Sequence, residues 1–250
     1  MRRIRLLILL LLIWEAGVRL AGTPAIVLPA PSRVLLEFWR LLASGTLWPF
    51  VWNTLCVLFL GLWFGLVAAF LLTALAILTP IGRDLQGLLT SMFNPLPAVA
   101  LLPLALLWFG LGQRSLLFVI VHSVVWSLSL NTYTGFSTVP ETMLRVGRNL
   151  GLSGLAMVRE IYIPAALPHI IAGLQLAWAY AWRTIIAAEL VFGVTGSKGG
   201  LGWFIYKMRY SLDTPAVFAG LLAIILLGLA VDVLFRRLQA ATVQKWGMSI

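Results

Sequence analysis

Residues 151–168 read GLSGLAMVREIYIPAALP, a punctuated and half-polar stretch lying between two apolar runs of membrane length. Its punctuation predicts local structure. Gly151 suits the left-handed position that closes a helix, and Ser153 can cap a second helix. Leu155, Val158 and Tyr162 then share one face until Pro164 ends the helix. Upstream, Thr138 followed three residues later by Glu141 has the form of a capping box. Met143, Val146, Gly147 and Leu150 follow on one face, while Arg145, Arg148 and Asn149 look elsewhere. Residues 137–166 therefore read as a helical hairpin with a narrow apolar ridge and a basic flank, too short and too polar to cross a bilayer. Periodicity alone leaves two readings of equal weight. The hairpin docks into a partner, or it lies on a lipid surface with its arginines at anionic headgroups.

Outward from the hairpin the chain is oily. Of 250 residues, 61% are hydrophobic and 10% charged, with a mean hydropathy of +1.01; a soluble domain carries about 25% charged residues. The chain reads as an all-α, polytopic membrane bundle forming a single transmembrane domain over residues 1–250, with no internal repeat or linker. A crossing helix needs about 20 apolar residues. Spans are expected at 54–79, 88–110, 116–135, 168–193 and 215–235. A sixth, 4–20, is weaker, because Arg2, Arg3 and Arg5 precede a short apolar run that Glu15 interrupts. The same pattern fits a cleavable signal peptide. If the segment is retained, Glu15 and Arg19 can pair four residues apart.

The net charge of +10 works as a topology signal. Six spans with both termini cytoplasmic put ten Lys/Arg inside (Arg83, the hairpin and the tail Arg236, Arg237 and Lys245 among them) and seven outside, the sign expected of cytoplasmic loops. No aromatic-interleaved basic surface points to nucleic acid. The lone Cys56 allows neither an intrachain disulfide nor a multi-cysteine metal site.

RVGRNLGLSGLAMVREIYIPAALP, 145–168, resembles the cytoplasmic coupling loop of binding-protein-dependent ABC importer permeases. That loop begins E-A-A, carries a Gly further on and closes with I-x-L-P. Gly151 matches the Gly, and Ile161-Tyr162-Ile163-Pro164 the closing motif with Ile for Leu. Arg145, Val146 and Gly147 stand where the family has Glu-Ala-Ala. PSRVLLEFWRLLASGTLW at 31–48, LPLALLWFGLG at 102–112 and AAEL at 187–190 are similar to the nitrate/sulfonate/taurine branch, so the likeness runs over residues 30–247. The resemblance implies a permease in the bacterial cytoplasmic (inner) membrane, present as a homodimer, with ABC ATPase subunits beneath and an extracytoplasmic solute-binding protein above. It implies that Arg145, Gly147, Arg148, Leu150, Gly151, Leu152, Ser153, Ile161 and Pro164 form the ATPase-docking surface. ATP and Mg would belong to the partner; no cofactor or metal is expected in this chain. It lacks G-x-x-x-x-G-K-[ST], and GVTGSKGG at 193–200 is a poor imitation whose glycines suit turns before the amphipathic WFIYKMRY, 203–210.

Polar groups facing hydrocarbon are expensive, so their placement marks inward faces. Gln175, Trp182 and Glu189 recur every seven residues beside Trp178. His122, Trp126, Ser129 and Tyr133 make a second stripe. Asn94-Pro95-Leu96-Pro97 interrupts the 88–110 run, where a kinked or broken helix would expose backbone to a path. A translocation path is thus expected along Asn94, Pro97, His122, Trp126, Gln175, Trp182, Arg183 and Glu189. Plainer readings compete: Glu189 as a structural carboxylate, Arg183 as an attractor of an anionic solute or a snorkelling side chain, His122 as a packing residue. Trp48, Trp52, Trp108 and Trp203 fall near span ends, where interfacial anchoring explains them. The competing function is an ion-coupled secondary transporter using Glu189, Arg183 and His122, for which an inverted repeat would be expected. An enzyme is disfavoured because no H-E-x-x-H, G-x-S-x-G or paired acidic motif occurs.

Overall fold

The computed structural model describes residues 2–192, 199–240 and 242, and among these every regular element is helical. In chain order the helices are α1 (Arg2–Leu20), α2 (Pro31–Ala43), α3 (Trp48–Leu78), α4 (Pro80–Phe93), α5 (Leu102–Phe109), α6 (Gln113–Ser137), α7 (Glu141–Asn149), α8 (Gly154–Met157), α9 (Ile163–Ala165), α10 (Leu167–Phe192), α11 (Leu201–Tyr210) and α12 (Thr214–Gln239). A 3-10 turn, Ala98–Leu101, leads into α5, and a π turn, Val158–Tyr162, joins α8 to α9.

Helices α3, α6, α10 and α12 are each long and apolar enough to cross a bilayer. The interruption expected within the 88–110 run is present: α4 and the segment Ala98–Phe109 are bent by 88° at a four-residue break. Pro95 and Pro97 supply no N–H for the carbonyls of Ser91 and Phe93, and their rings crowd the preceding turn. The helix stops at Phe93, and Phe93 O accepts a turn bond from Leu96 N at 3.2 Å. Segment 4–20 is helical within α1, whose five charged residues keep it out of the set of helices apolar enough to cross. Glu15 and Arg19 do pair, with Arg19 Nε donating to Glu15 at 2.6 Å.

The chain forms two compact units. The first comprises Met1–Leu55 and Ile186–Leu229. Its core holds Leu47, Leu201 and Phe204, all essentially without exposed surface, with Phe50 tilted against Phe204 at 5.2 Å. Glu15 ties α1 to the start of α2, accepting from Ser32 N at 3.0 Å and Ser32 Oγ at 2.8 Å.

The second unit comprises Cys56–Ile185 and Ala230–Ile250. Gly61 and Gly65, one turn apart on α3, face Ile120 and Val124 of α6, and a Cβ on either glycine would stand 2.5 Å from a side-chain carbon. Close helix approach through small residues is the usual basis of packing within a bilayer, where apolar burial alone drives little association. Gly173 of α10 does the same against Asn131. Thr73 and Gln86 both donate to the Ser129 carbonyl, at 3.4 and 3.1 Å, fastening α3 and α4 to α6.

Candidate functional site

The hairpin forms, with its caps differing from the sequence reading. Thr138 does not cap α7; it is the C-cap of α6, its hydroxyl donating to Gly135 O at 2.8 Å, and Pro140 occupies the N-cap of α7. Ser153 sits at the N-cap of α8 in extended conformation but makes no side-chain cap bond. Gly151 is left-handed, φ +79°, as its position after α7 requires. Leu152 N reaches back to Gly147 O, and Gly151 N to Arg148 O, both at 2.9 Å, which is the bonding of a Schellman close. Pro164 does not end the second arm. The arm continues through the π turn into α9, and Ile163 N bonds Val158 O, five residues back. A proline ring clashes with the carbonyl four residues before it, here that of Glu160, and one widened turn relieves the clash.

Two faces of this hairpin have opposite fates. Gly147 is buried where the arms cross; a Cβ there would lie 2.9 Å from Met157 Sδ and 3.1 Å from Ile161 Cγ1. Val158 packs with Phe136, Ala166 and Ile170, flanked by Phe70, Ile77 and Tyr162. That cluster joins the second arm to α3, α6 and α10. By contrast Met143, Val146 and Leu150 are 49%, 56% and 73% exposed. Leu155, expected to share one face with Val158 and Tyr162, is 70% exposed and joins Met143, Val146 and Leu150 instead, while Met157 takes the inward position. Around this ridge stand Arg145 and Arg148, both directed at Glu141 (3.5 and 3.4 Å) and both well exposed. Such pairs contribute little to stability and remain available to a partner.

At the 88° break lies a cavity of about 200 Å³. Four of the expected path residues meet there: Asn94, Pro97, His122 and Trp126. Phe93 stacks on Trp126 at 5.1 Å, and the His122 ring stands edge-on to Phe93 at 6.2 Å. The sequence reading missed Tyr180 and Thr184 of α10, which close the far wall. They lie four residues apart and so share a helix face; a Tyr/Thr pair in an apolar run was the available signal. A second cavity, about 480 Å³, lies beside Arg83, Gln86, Thr90 and Tyr133 and shares Asn94 and Pro95 with the first.

The remaining four expected residues do not line this cavity. Gln175 accepts from Gln239 Nε2 at 3.1 Å, Trp182 is buried and stacked on Trp178 at 5.8 Å, and Arg183 is exposed. Glu189 lies away from the cavity, in a clasp of its own. It has no exposed surface, and its carboxylate accepts from Thr54 Oγ1 at 2.9 and 3.0 Å and from Gly202 N at 2.8 Å. Thr54 Oγ1 in turn accepts from Leu201 N at 2.8 Å. Because Gly202 is the second residue of α11, the carboxylate also sits at the positive end of that helix. Lys198 and most of the loop 193–200, like Lys245, fall outside the described residues. Among the described residues no three His, Cys, Asp or Glu side chains come together to hold a metal.

A family profile described as "Binding-protein-dependent transport system inner membrane component" matches residues 61–244. The riboflavin transport system permease protein RibX of Chloroflexus aurantiacus is 32% identical over 244 residues, covering 97% of this chain and 89% of its own. The taurine transport system permease protein TauC of Escherichia coli (strain K12) is 26% identical over 238 residues, covering 93% and 85%. In fold, the chain is similar to a solved chain of the MetNI methionine ABC transporter in inward facing conformations, with a TM-score of 0.64 over 79% of this chain and 98% of that one, at 17% identity.

Proposed function

Because the chain belongs to the family of binding-protein-dependent transport system inner membrane components, we propose that it forms the membrane path of an ABC importer and receives work from a separate ATPase through residues 141–166. The observation that carries this reading is the divided hairpin. One side is fixed into the bundle by Val158 and Tyr162, with Gly147 buried where the arms cross, and the other presents Met143, Val146, Leu150 and Leu155 uncovered. An apolar ridge rimmed by arginines fits a groove on another protein. A push on the ridge passes through the Phe136–Val158–Ala166–Ile170 cluster to α3, α6 and α10, moving them as rigid bodies between two states.

On this reading the chain binds no nucleotide, and ATP and Mg belong to the partner. Two copies of the chain would surround the path, a solute-binding protein would deliver from outside, and both termini would be cytoplasmic. The path would run past the broken helix at Asn94 to Pro97. The solute would be a small anion of the sulfonate or taurine kind, which the taurine relative supports; a riboflavin transport permease stands among the relatives as well. An ion-coupled transporter would need Glu189 open to a path, whereas Thr54 and Gly202 enclose it.

The test is coexpression with the ATPase of the same transport system. Val146→Asp and Leu150→Asp are expected to abolish co-purification and stimulated ATP hydrolysis, while the chain still runs as a folded species in detergent. Full ATPase stimulation by the doubly substituted chain would overturn the docking role.

A further inference from the structure

The cavity at the bent helix carries an inference that rests on the permease reading and extends it to the solute. Trp126 Nε1 and both ring nitrogens of His122 are buried there without a hydrogen-bond partner among the described residues. Each such group left dry costs about as much as a lost hydrogen bond, so the site is built for something to fill it. The geometry limits what that is. An indole N–H only donates, and neutral imidazole donates from one nitrogen. Tyr180 and Thr184 add hydroxyls, and Asn94 an amide. No lining residue is acidic, so a cation would find no countercharge. Nor is there an open aromatic box for one, since Phe93 and Trp126 spend a face on each other at 20° between planes. Size is compatible: about 200 Å³ corresponds to roughly six or seven waters, enough for a small organic headgroup.

We infer that this cavity binds the oxygen-rich head of a small organic anion, a sulfonate or carboxylate, through neutral donors from Trp126 and His122. Neutral donors suit a passage site. They replace the hydration of an oxyanion without the tight charge pairing that would trap it.

The experiment uses the full chain in detergent micelles and saturation-transfer NMR with three probes of similar size: methanesulfonate, acetate and methylammonium. Methanesulfonate and acetate are expected to show saturable transfer, and methylammonium none. In the variant Trp126→Phe with His122→Phe, which keeps an aromatic ring at each position and removes the donors, transfer to methanesulfonate should fall by about tenfold. Equal transfer to methylammonium in the unsubstituted chain overturns the proposal even if the variant fails to fold, and so does an unchanged methanesulfonate signal in a folded variant. The permease reading fails separately: a chain that co-purifies with its ATPase yet ignores the anions refutes only the anion site, whereas one that binds anions but no ATPase refutes the coupling role.

Discussion

Glu189 is a carboxylate without exposed surface in a helix apolar enough to cross a membrane, and its tolerance there comes from two neutral donors, the Thr54 hydroxyl and the Gly202 N–H. Removing it strands the Thr54 hydroxyl and the Gly202 amide, each at about 1–3 kcal/mol. Glu189→Ala should therefore lower the thermal midpoint in detergent clearly, and Glu189→Gln, which keeps one acceptor, by less. Gly200→Ala should act like the alanine variant, since a Cβ there would run into the Glu189 carboxylate and Thr54 Oγ1. Equal midpoints for Glu189→Ala and the parent chain would remove the clasp. The sequence placed Glu189 on a stripe with Gln175 and Trp182 because helical spacing reports an angle around the axis. It does not report which neighbour stands at each height, and three positions on that stripe meet three different surroundings: an amide, an indole and a helix N-terminus.

At the scale of elements, the hairpin shows which signals a sequence carries openly. Gly151 was legible because a left-handed residue closing a helix is a local demand, met within the bonds from Leu152 to Gly147 and Gly151 to Arg148. The π turn was not legible, because Pro164 has two local remedies, ending a helix or widening it, and packing of Val158 and Tyr162 on Phe136 selects the second. Inward and outward apolar residues were likewise inseparable by periodicity: Val146 and Leu150 satisfy the same spacing as Gly147, and only the second arm decides that Gly147 is covered. This predicts a contrast between two glycine variants. Gly151→Val imposes a left-handed backbone on a β-branched residue, costing about 1–2 kcal/mol confined to the loop. It should weaken ATPase co-purification while leaving the thermal midpoint of the bundle nearly unchanged. Gly147→Leu must separate the arms against Met157 and Ile161, and should lower both. Identical behaviour of the two variants would show that the turn and the arm crossing are not distinct parts.

For the molecule as a whole, four crossing helices were readable from apolar length alone, and the fifth crossing depends on what the α4–α5 break does. A bent pair can be one broken span or a re-entrant loop, and backbone at membrane depth is tolerated in either where it lines a cavity. Here the break faces the cavities around Asn94 and Pro95. The two possibilities differ in parity. Between Ser44 and Ser153 the chain contains α3, the bent pair and α6. If the pair crosses, that makes three passages and the two serines lie on opposite sides; a re-entrant pair makes two and puts them on the same side. Both serines are exposed, so Ser44→Cys and Ser153→Cys, each made with the exposed native Cys56 replaced by Ser, can be reached by an impermeant maleimide. Labelling of Ser44→Cys in intact cells, and of Ser153→Cys only after the membrane is opened, is expected from a broken span and a cytoplasmic hairpin. Labelling of both from the same side would turn α4–α5 into a re-entrant loop. Labelling of Ser153→Cys from outside would remove the hairpin from any ATPase and with it the mechanical route from Val146 and Leu150 into the bundle.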